Sequence, residues 1–192
     1  IRHHPEILFI IRAHPDELRP GKESAETVEE WINKNKVLEL SNVRYIGARD
    51  FISSYELIKI SKFIMVYNST IGLEASILKK PVLCAGKARY TQVPTVFFPS
   101  TQEEFRVMLE KFLHIEKIEV PQEFVLNARK VLYSQLFMAS LPFDAFLEDE
   151  RHWKGYVTIR DFKIDLLKAQ NSSTISTILR GIQGKEQFLI DS

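Results

Sequence analysis

Polar side chains directly follow the apolar run 63–67, and they are Asn68, Ser69 and Thr70. The apolar run predicts a buried strand, and Ser69 is a favourable N-cap, so we expect a helix to begin there. A helix N-terminus at the carboxyl end of a strand binds anions, of which phosphate is the usual one. These side chains therefore predict phosphate contacts, although an ordinary N-cap explains Ser69 equally well when it is taken singly.

Glu74 lies about one turn into the same predicted helix. From there its carboxylate can point back towards the edge of the sheet and accept hydrogen bonds from ribose hydroxyls, a common role for an acid beside a bound nucleotide. The alternative is a solvated carboxylate on the helix surface. The neighbouring Leu73 and Ala75 do not decide between the two.

A second polar segment, Arg12-Ala-His14-Pro15, follows the apolar run 7–11. Pro15 restricts His14 to an extended backbone, which holds the imidazole at a strand end where its N–H can reach a phosphate oxygen. A nearby phosphate would favour the charged imidazolium, and Arg12 could add a fork of donors. Equally, His14 can be a turn residue and Arg12 a solvated charge.

Predicted strands near residues 7, 43, 63, 81 and 95 alternate with helices. This pattern predicts an α/β fold with a parallel sheet and helices on both faces, in which ligands bind beyond the carboxyl ends of the strands. We expect loops at those ends to converge: 12–17, 48–54, 68–70 and 85–91. Ser54, Lys87, Arg89 and Tyr90 are weaker candidates in these loops.

Capping boxes mark the predicted helix starts at Thr27 with Glu30, Ser53 with Glu56 and Thr101 with Glu104. Residues 18–26 are rich in charged side chains and contain Pro20 and Gly21, so they are predicted to form a loop. Pro121 predicts the first position of a helix that runs to about residue 140, and Ser173 predicts the cap of a last helix. Between these two helices, the aromatic residues have no regular spacing that would predict a helix or a strand.

Composition is that of an ordinary globular protein, with 45% hydrophobic and 27% charged residues in a chain of 192. The charges of the 26 basic and 25 acidic residues nearly cancel, so nothing predicts binding to nucleic acid.

Cys84 is the single cysteine and falls in an apolar run, which indicates a reducing cytosol. The histidines show no ligand spacing, so we predict no metal site. The chain starts with Ile1, and we expect it to be a fragment.

A family resemblance rests on four runs in order: Arg12-Ala-His-Pro-Asp-Glu, Ser54-Tyr-Glu-Leu, Asn68-Ser-Thr-Ile-Gly-Leu-Glu-Ala and Lys80-Pro-Val-Leu-Cys-Ala-Gly. Together they resemble the C-terminal, nucleotide-sugar half of bacterial capsule and surface polysaccharide glycosyltransferases of the two-Rossmann (GT-B) architecture. The chain is similar to capsule Kdo transferases and, more remotely, to sialyltransferases with His-Pro and Ser-Ser/Thr motifs. The resemblance covers roughly residues 5 to 115.

The resemblance implies that His14, Ser69 and Thr70 hold the phosphate of a CMP- or UDP-sugar, that Glu74 binds ribose, and that no metal or other cofactor is required. It implies a nucleotide-sugar-binding domain over residues 1–140 and an extension, mixed or helical, over 141–192. The acceptor would be a polysaccharide or lipid-linked glycan. An N-terminal half that supplies acceptor contacts and the catalytic base is not in this sequence, so we assign no base.

Alternatives stay open at this stage. A nucleotide-sugar 2-epimerase shares the architecture, and a non-catalytic nucleotide-binding or interaction module would need no second half. We expect a cytoplasmic protein, with peripheral association at the inner face of the membrane left open.

Overall fold

The computed structural model describes residues 1–18, 21, 24–152 and 155–189. Residues 19, 20, 22 and 23 of the predicted loop lie outside the described residues, as do 153, 154 and 190–192 of the predicted extension. The chain divides into two compact units. The first consists of Ile1–Tyr67, Lys80–Gly86 and Phe97–Val120, and the second of Asn68–Lys79, Lys87–Val96 and Pro121–Ser192.

Helices and short strands alternate along the chain, which confirms the predicted α/β class. The strands are β1 Phe9–Arg12, β2 Val43–Ile46, β3 Ile64–Val66, β4 Val82–Cys84, β5 Leu147–Asp149 and β6 Val157–Ile159. The α-helices are α1 Val28–Lys34, α2 Ser54–Ile60, α3 Ile71–Ile77, α4 Gln102–His114, α5 Gln122–Tyr133 and α6 Ser173–Gly184.

Parallel pairing organises the first unit. Strand β1 pairs with β2, with Phe9 opposite Val43, and β3 pairs with β4, with Ile64 opposite Val82. The strand predicted near residue 95 is reduced to a single bridge at Phe97, whose N–H donates to Val82 O at 3.0 Å and whose carbonyl accepts from the Cys84 N–H at 2.9 Å. Flanking prolines explain the short pairing, because proline has no N–H to donate to a ladder.

Local capping chemistry starts the helices of the first unit. The predicted box at α1 is confirmed: Thr27 Oγ1 accepts from the Glu30 N–H at 3.1 Å, and Glu30 Oε2 accepts from the Thr27 N–H at 2.8 Å. Because both bonds favour the carboxylate, they lower the pKa of Glu30. Thr101 Oγ1 caps α4 by accepting from the Glu104 N–H at 3.1 Å, but Glu104 Oε2 accepts from the Ser100 N–H at 2.8 Å, so only half of the predicted box forms. Ser53 precedes α2 without a side-chain capping bond, so the box predicted there is wrong.

Aromatic packing fills part of this unit's core. Phe112 of α4 is 4% exposed and meets the edges of Phe63 and Phe97, with ring centroids 5.4 and 5.0 Å apart. A second cluster joins Ile32, Val37 and Val43, so that α1 packs on β2. These contacts pack α1 and α4 against the strands of the first unit.

In the second unit, α3 packs against α5 through buried small residues, including Ala75 and Ala128. Helical structure continues beyond α5 as a π-helical turn, Ser134–Met138, which matches the predicted extent, while Pro121 is the N-cap and not the first helical residue. The antiparallel pair β5–β6 had no clear signal in the sequence. The cap of α6 is Ser172, one residue before the predicted Ser173.

Within the described residues, every helix is too short or too polar to cross a lipid bilayer.

Removal of the Phe112 ring should lower the free energy of unfolding by about 3–5 kcal/mol, because it leaves a cavity between two aromatic neighbours. The control is Val107→Ala on the same helix, where the side chain is 60% exposed and the change should stay within about 0.5 kcal/mol. Urea unfolding of Phe112→Ala and Val107→Ala measures both. Equal stability of the two variants would contradict this packing.

Candidate functional site

Arg12 ends β1 and ties the next loop to it. Its Nη1 donates to Gly47 O, and its Nη2 donates to Asp50 O at 3.3 Å and approaches Ile52 O at 3.5 Å. The guanidinium therefore orders the loop between β2 and α2 while it keeps a positive charge at the carboxyl end of β1. Ser54 follows this loop as the first residue of α2 and is partly buried.

His14 is exposed, and its ring is oriented by the backbone that follows. Its Nδ1 accepts the N–H of Asp16 at 3.0 Å, and its carbonyl accepts the N–H of Glu17 at 3.0 Å in the 3₁₀ turn Pro15–Leu18. An Nδ1 that accepts a hydrogen bond carries no proton, so the proton of the neutral ring lies on Nε2. The ring thus presents one N–H donor, and charging it would break the bond from Asp16.

A cleft of about 400 Å³ lies beside β2 in the first unit. Among the described residues of its lining, Glu17, Glu29 and Asp50 are acidic and Arg49 is basic. Burial raises the pKa of the Tyr45 hydroxyl in this lining, and the nearby Glu29 carboxylate adds to the rise. Carboxylates such as these can accept hydrogen bonds from hydroxyl groups of a ligand.

The Asn68–Thr70 turn begins the second unit. Asn68 and Thr70 are exposed and Ser69 is partly buried. Helix α3 starts one residue later than predicted, with Thr70 as the N-cap, and the Thr70 side chain makes no capping bond. The reason is a tight first turn in which the Ser69 carbonyl accepts the Gly72 N–H at 3.1 Å. Glu74 lies in the first turn of α3 and is partly buried.

Buried hydroxyls hold this turn in place. Ser76 Oγ donates to Thr95 O at 2.5 Å, and Thr95 Oγ1 donates to Tyr90 O at 2.6 Å. The Tyr90 hydroxyl then donates to Ser69 O at 2.8 Å. All three donor side chains belong to residues no more than 2% exposed, so the turn rests on a rigid base while Asn68 and Thr70 stay exposed.

Tyr90 was a weaker candidate for ligand contact, and the structure makes it a positioning residue for the turn. Local sequence patterns do not reveal this role, because Tyr90 and its partner Ser69 are 21 residues apart.

The proposed ligand-binding residues divide between the two units. Arg12, His14 and Ser54 belong to the first unit, while Asn68 to Thr70 and Glu74 belong to the second. Contact of both groups with one ligand stays a prediction.

Tyr90→Phe should cost about 1 kcal/mol of folding stability, the typical worth of one hydrogen bond, because the Ser69 carbonyl keeps its bond from Gly72. Tyr133→Phe is the matched control, since Tyr133 is 53% exposed. Chemical unfolding of both variants makes the comparison. A loss that is the same in both, or absent in Tyr90→Phe, would show that the hydroxyl does not support the turn.

Comparison with known proteins gives one match. A family model described as capsule polysaccharide biosynthesis protein matches residues 1–96, half of the 192-residue chain. All of the candidate residues fall within the matched part. No curated protein and no solved structure matches the chain significantly. The chain belongs to the family of capsule polysaccharide biosynthesis proteins.

Proposed function

We propose that this chain is the donor-binding part of a glycosyltransferase that moves a sugar from a CMP- or UDP-linked donor to a growing capsular or surface polysaccharide. The observation that carries the proposal is the family match over residues 1–96, which includes every candidate residue. A polysaccharide grows by transfer of activated sugars, so a family that makes one requires sites for such donors. The GT-B resemblance is in keeping with the parallel strand pairs β1–β2 and β3–β4.

The donor phosphate is assigned to the outward-facing polar groups. His14 offers the Nε2–H that its bond with Asp16 leaves available, and the hydroxyls of Ser69 and Thr70 are further donors. Arg12 contributes its charge at the end of β1 while its N–H groups hold the neighbouring loop. In the reaction these groups would position the donor and stabilise the departing phosphate, which requires no metal.

The neutral parts of the donor are assigned to carboxylates. Glu74, in the first turn of α3, would accept hydrogen bonds from the ribose hydroxyls. Asn68 precedes the hydroxyls of Ser69 and Thr70 and would add an amide hydrogen-bond donor.

The catalytic base and the acceptor contacts are proposed to come from an N-terminal half of the same polypeptide. The reaction would take place in the cytoplasm, where the glycan acceptor could bring the protein to the inner face of the membrane.

The donor is identified by titration of CMP, UDP and GDP against the full-length protein while its melting temperature is followed. A nucleotide that binds the folded state raises that temperature, and the rise grows with the logarithm of the nucleotide concentration divided by its dissociation constant. We expect one nucleotide to act at far lower concentration than the others. Transfer of labelled sugar to a glycan acceptor then supports the glycosyltransferase, whereas conversion of the donor sugar without acceptor supports a 2-epimerase. Absence of any nucleotide effect would overturn the proposal.

Substitutions at His14 test whether the hydrogen-bond donor at the Nε2 position, and not the imidazole ring as a whole, binds the phosphate. In His14→Gln the amide nitrogen can replace the Nε2–H, whereas in His14→Asn the amide lies at the Nδ1 position and cannot reach as far. A hydrogen bond to a charged phosphate is worth about 1.5–3 kcal/mol, so His14→Asn should weaken nucleotide binding about tenfold to a hundredfold. His14→Gln should retain part of the affinity.

His152→Asn is the control for the His14 pair, because the His152 side chain is 85% exposed and no role is assigned to it. Isothermal titration with the nucleotide found above gives the affinities, and unfolding curves verify that the variants fold. Unchanged affinity in both His14→Asn and Ser69→Ala would remove these residues from the phosphate site.

A further inference from the structure

Two histidines and a glutamate, none of which is assigned to the donor, meet in the first unit. His4 is only 9% exposed, and its Nε2 lies 3.2 Å from Glu110 Oε1. The His114 ring lies edge-on to the His4 ring, with centroids 5.5 Å apart. One potential ligand atom from each of the three residues lies within 4.8 Å of the other two. We propose that His4, Glu110 and His114 form a site for a zinc-like divalent cation.

The backbone brings these groups together without a metal. Asn42 Nδ2 donates to His4 O at 2.8 Å and to Ile7 O at 3.1 Å, which fixes the segment before β1. Glu110 and His114 are four residues apart in α4 and therefore share one face of the helix. The site is thus partly formed in advance, with one ligand held by the segment before β1 and two by a rigid helix.

His114 has the second contact that orients a metal-binding histidine, and His4 has a carboxylate near its other ring nitrogen. His114 Nδ1 lies 2.7 Å from the carbonyl oxygen of Glu110, a hydrogen bond that places the proton on Nδ1 and leaves Nε2 to bind a metal. His4 Nδ1 faces the carboxylate of Glu6 at 3.7 Å, while its Nε2 faces Glu110. Carboxylates and backbone carbonyls are the usual partners that orient a ligating histidine.

Distances and ligand types favour zinc over magnesium or calcium. Tetrahedral zinc with bonds of about 2.0–2.2 Å places its ligand atoms roughly 3.3–3.5 Å apart, close to the 3.2 Å between His4 and Glu110. The ligand atom of His114 lies within 4.8 Å of the other two, and its exposed side chain leaves room for a small adjustment. Two imidazoles and one carboxylate match known zinc ligand sets, whereas Mg²⁺ and Ca²⁺ prefer oxygen ligands throughout.

A bound cation would attach the segment before β1 to α4, and this role is separate from donor binding. Sequence spacing did not suggest it, because His4 and Glu110 are 106 residues apart. The competing possibility is that His4 and Glu110 make only a hydrogen bond. The two possibilities differ in the role of His114. A metal site uses its ring as a ligand, whereas a hydrogen bond between His4 and Glu110 does not involve it.

The test uses the full-length protein, stripped with a chelator and titrated with Zn²⁺ in the absence of nucleotide. We expect one equivalent to bind, and saturation at a hundredfold excess over Kd should raise the melting temperature by about 5–10 °C. Co²⁺ in place of Zn²⁺ should give the intense visible absorption of a tetrahedral site. Failure of these signals would leave the proposed donor site unaffected, because they do not depend on nucleotide.

Variants decide which residues bind the ion. His114→Gln and Glu110→Gln each remove an exposed ligand and should weaken Zn²⁺ binding at least tenfold while the apo protein stays folded. His3→Gln is the matched control, because His3 is exposed beside His4 and lies outside the cluster. Equal Zn²⁺ affinity of His114→Gln and His3→Gln, or no binding below about 100 μM, would overturn the site.

Discussion

Parallel strand pairing is the constraint on which the arrangement of this chain depends. In the β1–β2 register Arg12 is opposite Ile46, so the end of one strand adjoins the loop that leaves the other. In the β3–β4 pair the Gly86 N–H donates to the Tyr67 carbonyl at 2.6 Å, which fixes the point where the chain leaves β3. Parallel strands require long crossovers, and both polar segments begin where such a crossover starts.

Each polar segment is then held by a different kind of interaction. In the first unit, the Arg12 guanidinium binds backbone carbonyls and the Asp16 N–H orients the His14 ring. In the second, buried hydroxyls from Ser76, Thr95 and Tyr90 support the turn at Ser69. In both segments these bonds hold the backbone, while the side chains of His14, Asn68 and Thr70 stay exposed. Groups fixed in this way lose little freedom when a ligand binds, which favours affinity and orientation.

Local patterns predicted those parts of the fold that local interactions decide. The capping box at Thr27 and the side-chain cap at Thr101 formed because their partners are three residues away, and the strands before the polar segments formed because their residues are apolar. The long-range contacts were not predictable in this way. Tyr90 meets Ser69, and His4 meets Glu110, only after the strands and helices have packed. The β5–β6 pair was missed because its residues show no regular alternation.

The central claim is that the His14 segment and the Asn68–Thr70 turn contact the same nucleotide-sugar. Backbone amide chemical shifts of ¹⁵N-labelled full-length protein, recorded during titration with the preferred nucleotide diphosphate or monophosphate, test it directly. The claim predicts that the amides of Ala13, His14 and Asp16 and those of Asn68 to Gly72 shift together and saturate with a single dissociation constant. Shifts confined to one segment, or different dissociation constants for the two, would contradict it.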